Sequence, residues 1–388
     1  REPNATADCP GDMWRLWPWG ATHDAEWEPY NGALFGGIGV GGNVLFAGNT
    51  VRNAYNGIRL YPSRACRQGT KCLEQTQRNV SVIGNTFAFV RDNPIEPELH
   101  AADWHIAHNR FFNNHAWIST DGVAGGPVYV YGNVGWFSRE IPGLACVDGP
   151  HWRDSLRFLF EGKREGRYVL TRDVKRDYDP LCGTHRRGTV VKLGGAHGDP
   201  GPVLDAFYIF HNSWLLRSPI FAGGYLGSVG HWNNAVLLAG CGRDGAEWCR
   251  TRPAIEENDC PAKLPTYAAD DGASLVADCF AFADGAERTS SFDHDVGYPD
   301  LRAALISFAG PTAEAEGRSV DPMFGDPWNG GFWPRPGSPL IGNACLVAWD
   351  GDALVCRPAA GDRRANVGAI QPDGRPFALP PRPSGDQG

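Results

Sequence analysis

Five short apolar runs, each closed by an asparagine, recur along the chain. They occupy residues 44–49, 80–85, 104–109, 128–133 and 207–212. β-Branched and aromatic side chains dominate these runs and alternate with period 2, which predicts strands rather than helices. Asn85, Asn109 and Asn133 follow one another at a spacing of 24 residues. Such a period is typical of repeat architectures, in which each unit buries its apolar face against the next.

The pattern predicts an all-β chain folded as a parallel β-helix, a solenoid of stacked rungs. We assign residues 36–371 to this domain, residues 1–35 to an irregular strap or the remnant of an upstream coil, and 372–388 to a tail. A charged segment at 139–187 breaks the period and is predicted to project as a loop insertion, and the C-terminal cap is predicted to be irregular. The closing asparagines are expected to be structural, stacked into a hydrogen-bonded ladder.

Composition supports this fold class and narrows the choice of partners. Fifty glycines and thirty prolines make up about a fifth of the 388 residues, too many for long helices. The net charge of −8 argues against a nucleic-acid backbone as partner. No apolar run approaches the roughly 20 residues that a membrane span needs.

Eleven cysteines favour an oxidising compartment, so the protein is expected to be secreted, periplasmic or displayed at the cell surface. The chain has no Cys-x-x-Cys motif, which disfavours a thiolate zinc site. Cys9 is left over and is a candidate for a bridge to a second chain or to a cleaved N-terminal part. The predicted disulfides join Cys66 to Cys72, Cys146 to Cys182, Cys241 to Cys249, Cys260 to Cys279 and Cys345 to Cys356.

The strands that follow each asparagine turn suggest where chemistry could lie. Inward positions are predicted at Ile58, Ile95, Ile118, Val190 or Val191, and Ile220. Their neighbours then form an outer strip at a rung spacing of about 4.8 Å. The strip displays Arg59, Glu96, Ser119 and Lys192, with Arg217 nearby. A slip of one residue would turn these side chains inward.

Paired acidic residues are the sharpest local signal on this strip. Glu96 and Glu98 are two residues apart, so they face the same side of a strand. Their carboxylates would repel unless a cation lay between them, and Ca²⁺ takes six to eight oxygen ligands, to which Asp92 and Asp121 could contribute. The alternative is a solvated acidic patch, or ion pairs with neighbouring arginines.

The C-terminal segments Asp321–Gly325, Pro336–Ile341 and Asn366–Ala369, together with the repeats closed by Gly-Asn or His-Asn, resemble secreted right-handed parallel β-helix proteins. That family includes polysaccharide lyases of the alginate and pectate type. The resemblance implies a calcium site at Glu96 and Glu98 that neutralises a uronate carboxyl group. It also implies that Lys192, Arg59 or Arg217 removes the C5 proton. The chain departs from the lyase pattern after the second glutamate, where Leu99 and His100 stand in place of a lysine.

Other chemistries remain open from the sequence. His100 and His115 are alternative general bases, because an ordinary histidine titrates near neutral pH. Paired carboxylates would also suit an inverting glycoside hydrolase. Trp104, Trp117 and Arg110 are candidate substrate contacts. A third hypothesis is a non-catalytic carbohydrate-binding or structural subunit of an extracellular assembly. We therefore expect a polysaccharide partner, with a lyase acting on an acidic polysaccharide as the favoured function.

Overall fold

The computed structural model is all-β and describes seventeen stretches of the chain. These are residues 33–52, 54, 56–61, 77–88, 90, 93–97, 99–114, 116–120, 122–136, 189–194, 201–216, 220–222, 224–238, 280–282, 286–298, 314–359 and 365–382. Three long parallel sheets account for most of the strands, and none of these sheets closes on itself. Two short 3-10 helices, Ala286–Arg288 and Pro327–Asn329, are the only helices among the described residues. None of the described helices has the length and apolar character required to cross a membrane.

The strands of the three sheets are as follows. Sheet A contains β1 (Ala33–Ile38), β4 (Asn56–Tyr61), β7 (Ile95–Pro97), β10 (Ala116–Ser119), β14 (Thr189–Lys192) and β17 (Phe221–Ala222). Sheet B contains β2 (Gly42–Ala47), β5 (Gln77–Ile83), β8 (His100–Ala107), β12 (Val128–Tyr131), β15 (Phe207–Phe210), β19 (Val229–Trp232) and β22 (Ser291–Asp293), with β11 (Ala124–Gly125) beside β8. Sheet C contains β3 (Thr50–Arg52), β6 (Thr86–Ala88), β9 (Arg110–Phe112), β13 (Val134–Trp136), β16 (Ser213–Leu216), β20 (Ala235–Leu238), β23 (Val296–Tyr298) and β24 (Arg318–Ser319).

The chain visits sheets A, B and C repeatedly in that order, and we call one such passage a round. Each strand pairs in parallel with the strand of the next round in the same sheet. The first strand begins at Ala33, close to the predicted domain boundary at residue 36. Three smaller pairings complete the described structure: β18 (Gly224–Leu226) with β21 (Phe280–Phe282), β25 (Phe324–Asp326) with β26 (Gly331–Pro334), and β27 (Leu346–Asp350) with β28 (Ala353–Arg357).

The turn between sheets B and C explains why the apolar runs end in asparagine. The residue before each asparagine has a left-handed backbone, with φ of 67° at Gly84, 63° at Gly132 and 51° at His211. Glycine adopts this conformation without strain, and a few polar residues tolerate it. The asparagine that follows turns into the interior, where its side chain meets the asparagines of the neighbouring rounds.

Those side chains form a continuous ladder. Nδ2 of each asparagine donates to Oδ1 of the next at 2.9 to 3.1 Å, and the backbone N–H donates to the same oxygen. The members in order are Asn49, Asn85, Asn109, Asn133, Asn212 and Asn234, and the last donates to Asp295. The second Nδ2 hydrogen of the inner members satisfies a backbone carbonyl of an earlier round. The prediction of a structural asparagine ladder is confirmed.

Inward side chains from all three sheets form one apolar core. On sheet A the inward column is Ile58, Ile95, Ile118, Val191 and Phe221, all fully buried. Four of the predicted inward positions are confirmed. The fifth is shifted by one residue, because Phe221 rather than Ile220 pairs with Val191.

The C-terminal part of the chain packs on the outer faces of sheets B and C. Leu340, Val367 and Ala369 cluster with Val134 and Ala235 of sheet C. The β27–β28 hairpin instead lies with the outward tyrosines of sheet B. A disulfide joins Cys345 to Cys356 within that hairpin, as predicted. The other four predicted disulfides, Cys9 and the insertion at 139–187 lie outside the described residues.

Candidate functional site

Four polar side chains predicted to share a strip do stack in one column of sheet A. Arg59 of β4 is in register with Glu96 of β7, and Ser119 of β10 is in register with Lys192 of β14. The pairing of Ile95 with Ile118 places Glu96 and Ser119 side by side. Because their chain neighbours point into the core, these four side chains lie on the outer face of the sheet. We call them the sheet A column.

An ion pair joins the first two members of the sheet A column. Arg59 Nε lies 3.0 Å from Glu96 Oε2, and the two side chains are 17% and 6% exposed. Ser119 and Lys192 are also nearly inaccessible. Removing one partner of a shielded pair costs several times more than breaking a surface pair, because the other charge is left without compensation.

The described part of the column does not provide an oxygen set for calcium. Of the four predicted ligands only Glu96 is described, and its Oε2 faces the Arg59 guanidinium. A divalent cation at the same oxygen would be repelled by that guanidinium, and Ca²⁺ needs several further oxygens. Asp92, Glu98 and Asp121 lie outside the described residues, as do His115 and Arg217. The calcium site stays a prediction that rests on those acidic residues.

Both tryptophans predicted to contact a sugar lie in the core. Trp104 and Trp117 are completely buried. Trp104 Nε1 donates to the backbone oxygen of Gln77 at 3.1 Å. Trp117 stacks on Phe111 with ring centroids 5.3 Å apart, and Gly135 makes room for it. Neither ring offers a face to a carbohydrate on the surface.

Two further predicted site residues lie on other sheets. Arg110 is exposed on sheet C, with its guanidinium carbon 4.9 Å from the centre of the Trp136 ring. His100 opens β8 on sheet B and is half-buried. The structure therefore gathers Arg59, Glu96, Ser119 and Lys192, but it does not bring Arg110 or His100 into the sheet A column.

Sequence reasoning missed a cluster of titratable groups in the interior. His231, Asp295 and Glu314 place one donor atom each within 4.8 Å of the others. His231 Nδ1 lies 2.6 Å from Asp295 Oδ2, and both side chains are fully buried. The signal was present, because His294 and Asp295 repeat the left-handed residue and ladder residue of the earlier turns. This repeat was overlooked because an aspartate, Asp295, stands where the earlier turns have an asparagine.

Burial controls the protonation of this cluster. It lowers the pKa of His231 to about 4, against a weaker opposing effect of the Glu314 carboxyl. Burial raises the pKa of Glu314 to about 10, and the neighbouring Asp295 adds to the increase. Burial also raises the pKa of Asp295, although hydrogen bonds, including those from Asn234, act in the opposite direction. Two adjacent carboxylates in an apolar core cannot both stay ionised without a compensating positive charge.

No protein-family model, curated protein or solved structure matches this chain.

Proposed function

We propose that the three sheets wind as a right-handed parallel β-helix of a secreted protein that cleaves an acidic polysaccharide by β-elimination. The observation that carries the proposal is the sheet A column, in which Arg59, Glu96, Ser119 and Lys192 follow one another on adjacent strands. Adjacent strands are about 4.8 Å apart, close to the length of one sugar residue. The disulfide between Cys345 and Cys356 supports export to an oxidising compartment.

The Arg59 guanidinium of the column suits an anionic polymer. A uronate carboxylate would pair with the Arg59 guanidinium, which neutralises the sugar and makes its C5 proton more acidic. The Lys192 amine would accept that proton. The C5–H electron pair would then form the C4–C5 double bond as the C4–O bond breaks, and the departing oxygen would take up a proton. Glu96 would position Arg59 through their ion pair.

Substrate access sets a condition on this mechanism. Glu96 is 5% exposed and Lys192 is 7% exposed. A polymer can reach the Lys192 amine only if the outer face of sheet A opens. The same burial favours a second candidate function, a non-catalytic binding or structural subunit in which the column acts as a shielded ionic network.

A panel of uronate polymers tests the proposal, with and without a chelator. β-Elimination leaves an unsaturated sugar, so ultraviolet absorbance should rise with at least one polymer. Replacing Lys192 by alanine should lower the rate by at least about 100-fold, the usual scale for loss of a general base. Ser119→Ala is the matched control in the same column and should retain most of the activity.

The outcomes separate the hypotheses. New reducing ends without absorbance would indicate hydrolysis and reject β-elimination. Retention of a polymer without either product would favour the binding function. Full activity of Lys192→Ala would remove Lys192 from the mechanism.

A further inference from the structure

The His231, Asp295 and Glu314 cluster spans the last three rounds at the C-terminal end of the interior. His231 belongs to β19, and Asp295 lies in the turn between β22 and β23. Glu314 follows in the next round, because its backbone N–H donates to the carbonyl oxygen of Phe292 at 2.7 Å. Each round therefore contributes one side chain to the cluster.

His231 interrupts an otherwise apolar column. The residues in register with it on the preceding strands of sheet B are Val82, Ile106, Val130 and Ile209. Its ring stacks on Phe292 at 5.5 Å between centroids, and Phe221 lies at 5.9 Å. A histidine in this setting contributes little packing that isoleucine would not, so its nitrogen atoms distinguish the position.

The described residues supply the two carboxyl groups with few partners. Asp295 forms an ion pair with His231, whereas Glu314 contacts Asp295, through a bond between the two side chains and through the Asp295 backbone N–H, which donates to Glu314 Oε2 at 3.4 Å. Glu314 Oε1 is shielded from solvent and accepts no hydrogen bond from the described residues. A buried carboxylate oxygen without a donor is costly, by a few kcal/mol in general.

We propose that His231, Asp295 and Glu314 bind a divalent transition-metal ion of the zinc class. A neutral imidazole, two carboxylates and a 2+ ion sum to zero charge, which satisfies the apolar surroundings. The imidazole suits zinc-like ions, whereas Ca²⁺ prefers six to eight oxygens. Zinc binds nitrogen and carboxylate oxygen at about 2.0–2.2 Å. The three donor atoms lie within 4.8 Å of one another, so one ion can reach all three once His231 Nδ1 and Asp295 Oδ2, which lie 2.6 Å apart, separate to admit it.

The asparagine ladder prepares Asp295 for this role. Asn234 donates to Asp295 Oδ1 from its backbone N–H at 2.6 Å and from Nδ2 at 3.0 Å. These two bonds fix the carboxylate and direct Oδ2 toward His231. Supporting hydrogen bonds of this kind orient the ligands of metal sites. The described residues hold one other group of metal-ligating residue types, His294 with Cys345 and Cys356, which cannot serve because the two sulfurs are bonded to each other.

The proposed ion is structural and independent of the sheet A column, so the two proposals fail separately. It would fasten the last rounds to one another, much as a cross-link does. Its chemistry is tested by metal binding and stability rather than by activity on a polysaccharide.

The experiment uses the whole chain, stripped with a chelator and then titrated with Zn²⁺ by calorimetry. We expect one ion per chain and a rise in melting temperature of about 2–6 °C. The test variant is Asp295→Asn, which removes the carboxylate but keeps an oxygen that can accept the hydrogen bonds from Asn234, as the asparagines of the ladder do. Its affinity for Zn²⁺ should fall by at least about 100-fold, and Glu314→Gln, at the edge of the cluster, should fall by at least about 10-fold.

Two results would overturn the proposal. One is the absence of stoichiometric binding to the stripped wild-type chain. The other is equal binding by wild type, Asp295→Asn and Glu314→Gln, which would place the ion elsewhere on the chain. Glu314→Gln keeps the test decisive if Asp295→Asn does not fold.

Discussion

Replacing Asn133 by alanine removes a side chain from the middle of the asparagine ladder. Its Oδ1 accepts from the backbone N–H of Asn109 at 2.9 Å and from Asn109 Nδ2 at 3.1 Å. Its Nδ2 donates to the Ile106 carbonyl at 2.8 Å and to Asn212 Oδ1 at 3.0 Å. All four bonds are buried, so water cannot replace them without entering the core.

The magnitude follows from the groups left behind. The Asn109 backbone N–H has no second partner in the ladder, and an unsatisfied buried donor costs about 1–3 kcal/mol. Three other groups each lose one hydrogen bond: the Asn109 side-chain amide, the Ile106 carbonyl and Asn212 Oδ1. Asn109 Nδ2 still donates to the Val82 carbonyl, and Asn212 Oδ1 still accepts from the Asn133 backbone N–H. We expect Asn133→Ala to lower the free energy of unfolding by about 3–5 kcal/mol, a large part of the 5–15 kcal/mol of a typical domain.

Asn49→Ala is the matched control at the exposed end of the same ladder. Asn49 donates to Asn85 Oδ1 and to the Ala47 carbonyl, and its backbone N–H keeps its own bond to Asn85. Water can satisfy what the substitution exposes, so the cost should stay below about 1 kcal/mol. Urea unfolding followed by circular dichroism measures both variants. Equal losses at the two positions, or a loss under 1 kcal/mol for Asn133→Ala, would refute the argument that burial of the ladder stabilises the fold.

Three further predictions concern the disulfide, a buried histidine and a strand glycine. Mutating Cys345 and Cys356 to serine should cost about 3 kcal/mol, because the cross-link no longer closes a short loop in the unfolded chain, and urea unfolding against the oxidised wild type measures this. Burial lowers the pKa of His211 to about 3. The free energy of unfolding should therefore keep its full contribution from neutral His211 above about pH 6.5 and lose about 4–5 kcal/mol toward pH 3. Unfolding at a series of pH values measures this. Gly135→Ala should cost at least about 1–3 kcal/mol, because its Cβ would clash with the Trp117 ring, and thermal unfolding checks this.

Each of these has a control in the chain. The pH dependence assigned to His211 should flatten in His211→Asn, since Asn233 holds the corresponding left-handed position of the next round. A variant that keeps the full slope would assign acid sensitivity to other groups. Trp117→Phe should recover part of the loss of Gly135→Ala, whereas simple additivity of the two changes would reject a clash between them. Serine variants as stable as the oxidised protein would show that the disulfide does not stabilise the hairpin.

Sequence patterns predicted the repeated part of this protein well, for physical reasons. A strand with one buried face must alternate with period 2, and the ladder requires an asparagine at one turn, so both leave regular marks. Those marks predicted that Arg59, Glu96 and Lys192 share one column, and the strand register agrees. The predicted inward position was wrong by one residue at Phe221, because the neighbouring Ile220 is also apolar and fully buried.

The features that the sequence did not predict depend on contacts between distant segments. Tryptophan is typical of sugar-binding surfaces, but Trp104 and Trp117 pack inside the core, among side chains from distant strands. The C-terminal hairpin covers the outward tyrosines of sheet B, and its residues are more than a hundred positions from those tyrosines in the sequence. Asp295 was overlooked because its role comes from where it stacks rather than from a motif.

The ladder also has a polarity with a practical consequence. Asn133 and Asn212 are 79 positions apart, yet they bond as closely as pairs separated by 24. Connections between sheets can therefore lengthen greatly without disturbing the stack, since the entropy of a loop grows only with the logarithm of its length. Every asparagine side chain donates in the same direction along the stack, and the series of side-chain amides ends at Asp295, whose backbone N–H alone continues it, to Glu314 Oε2 at 3.4 Å. Whole rounds could thus be inserted or duplicated between Asn49 and Asn234. An extension past Asp295 would first need a side-chain amide at that position.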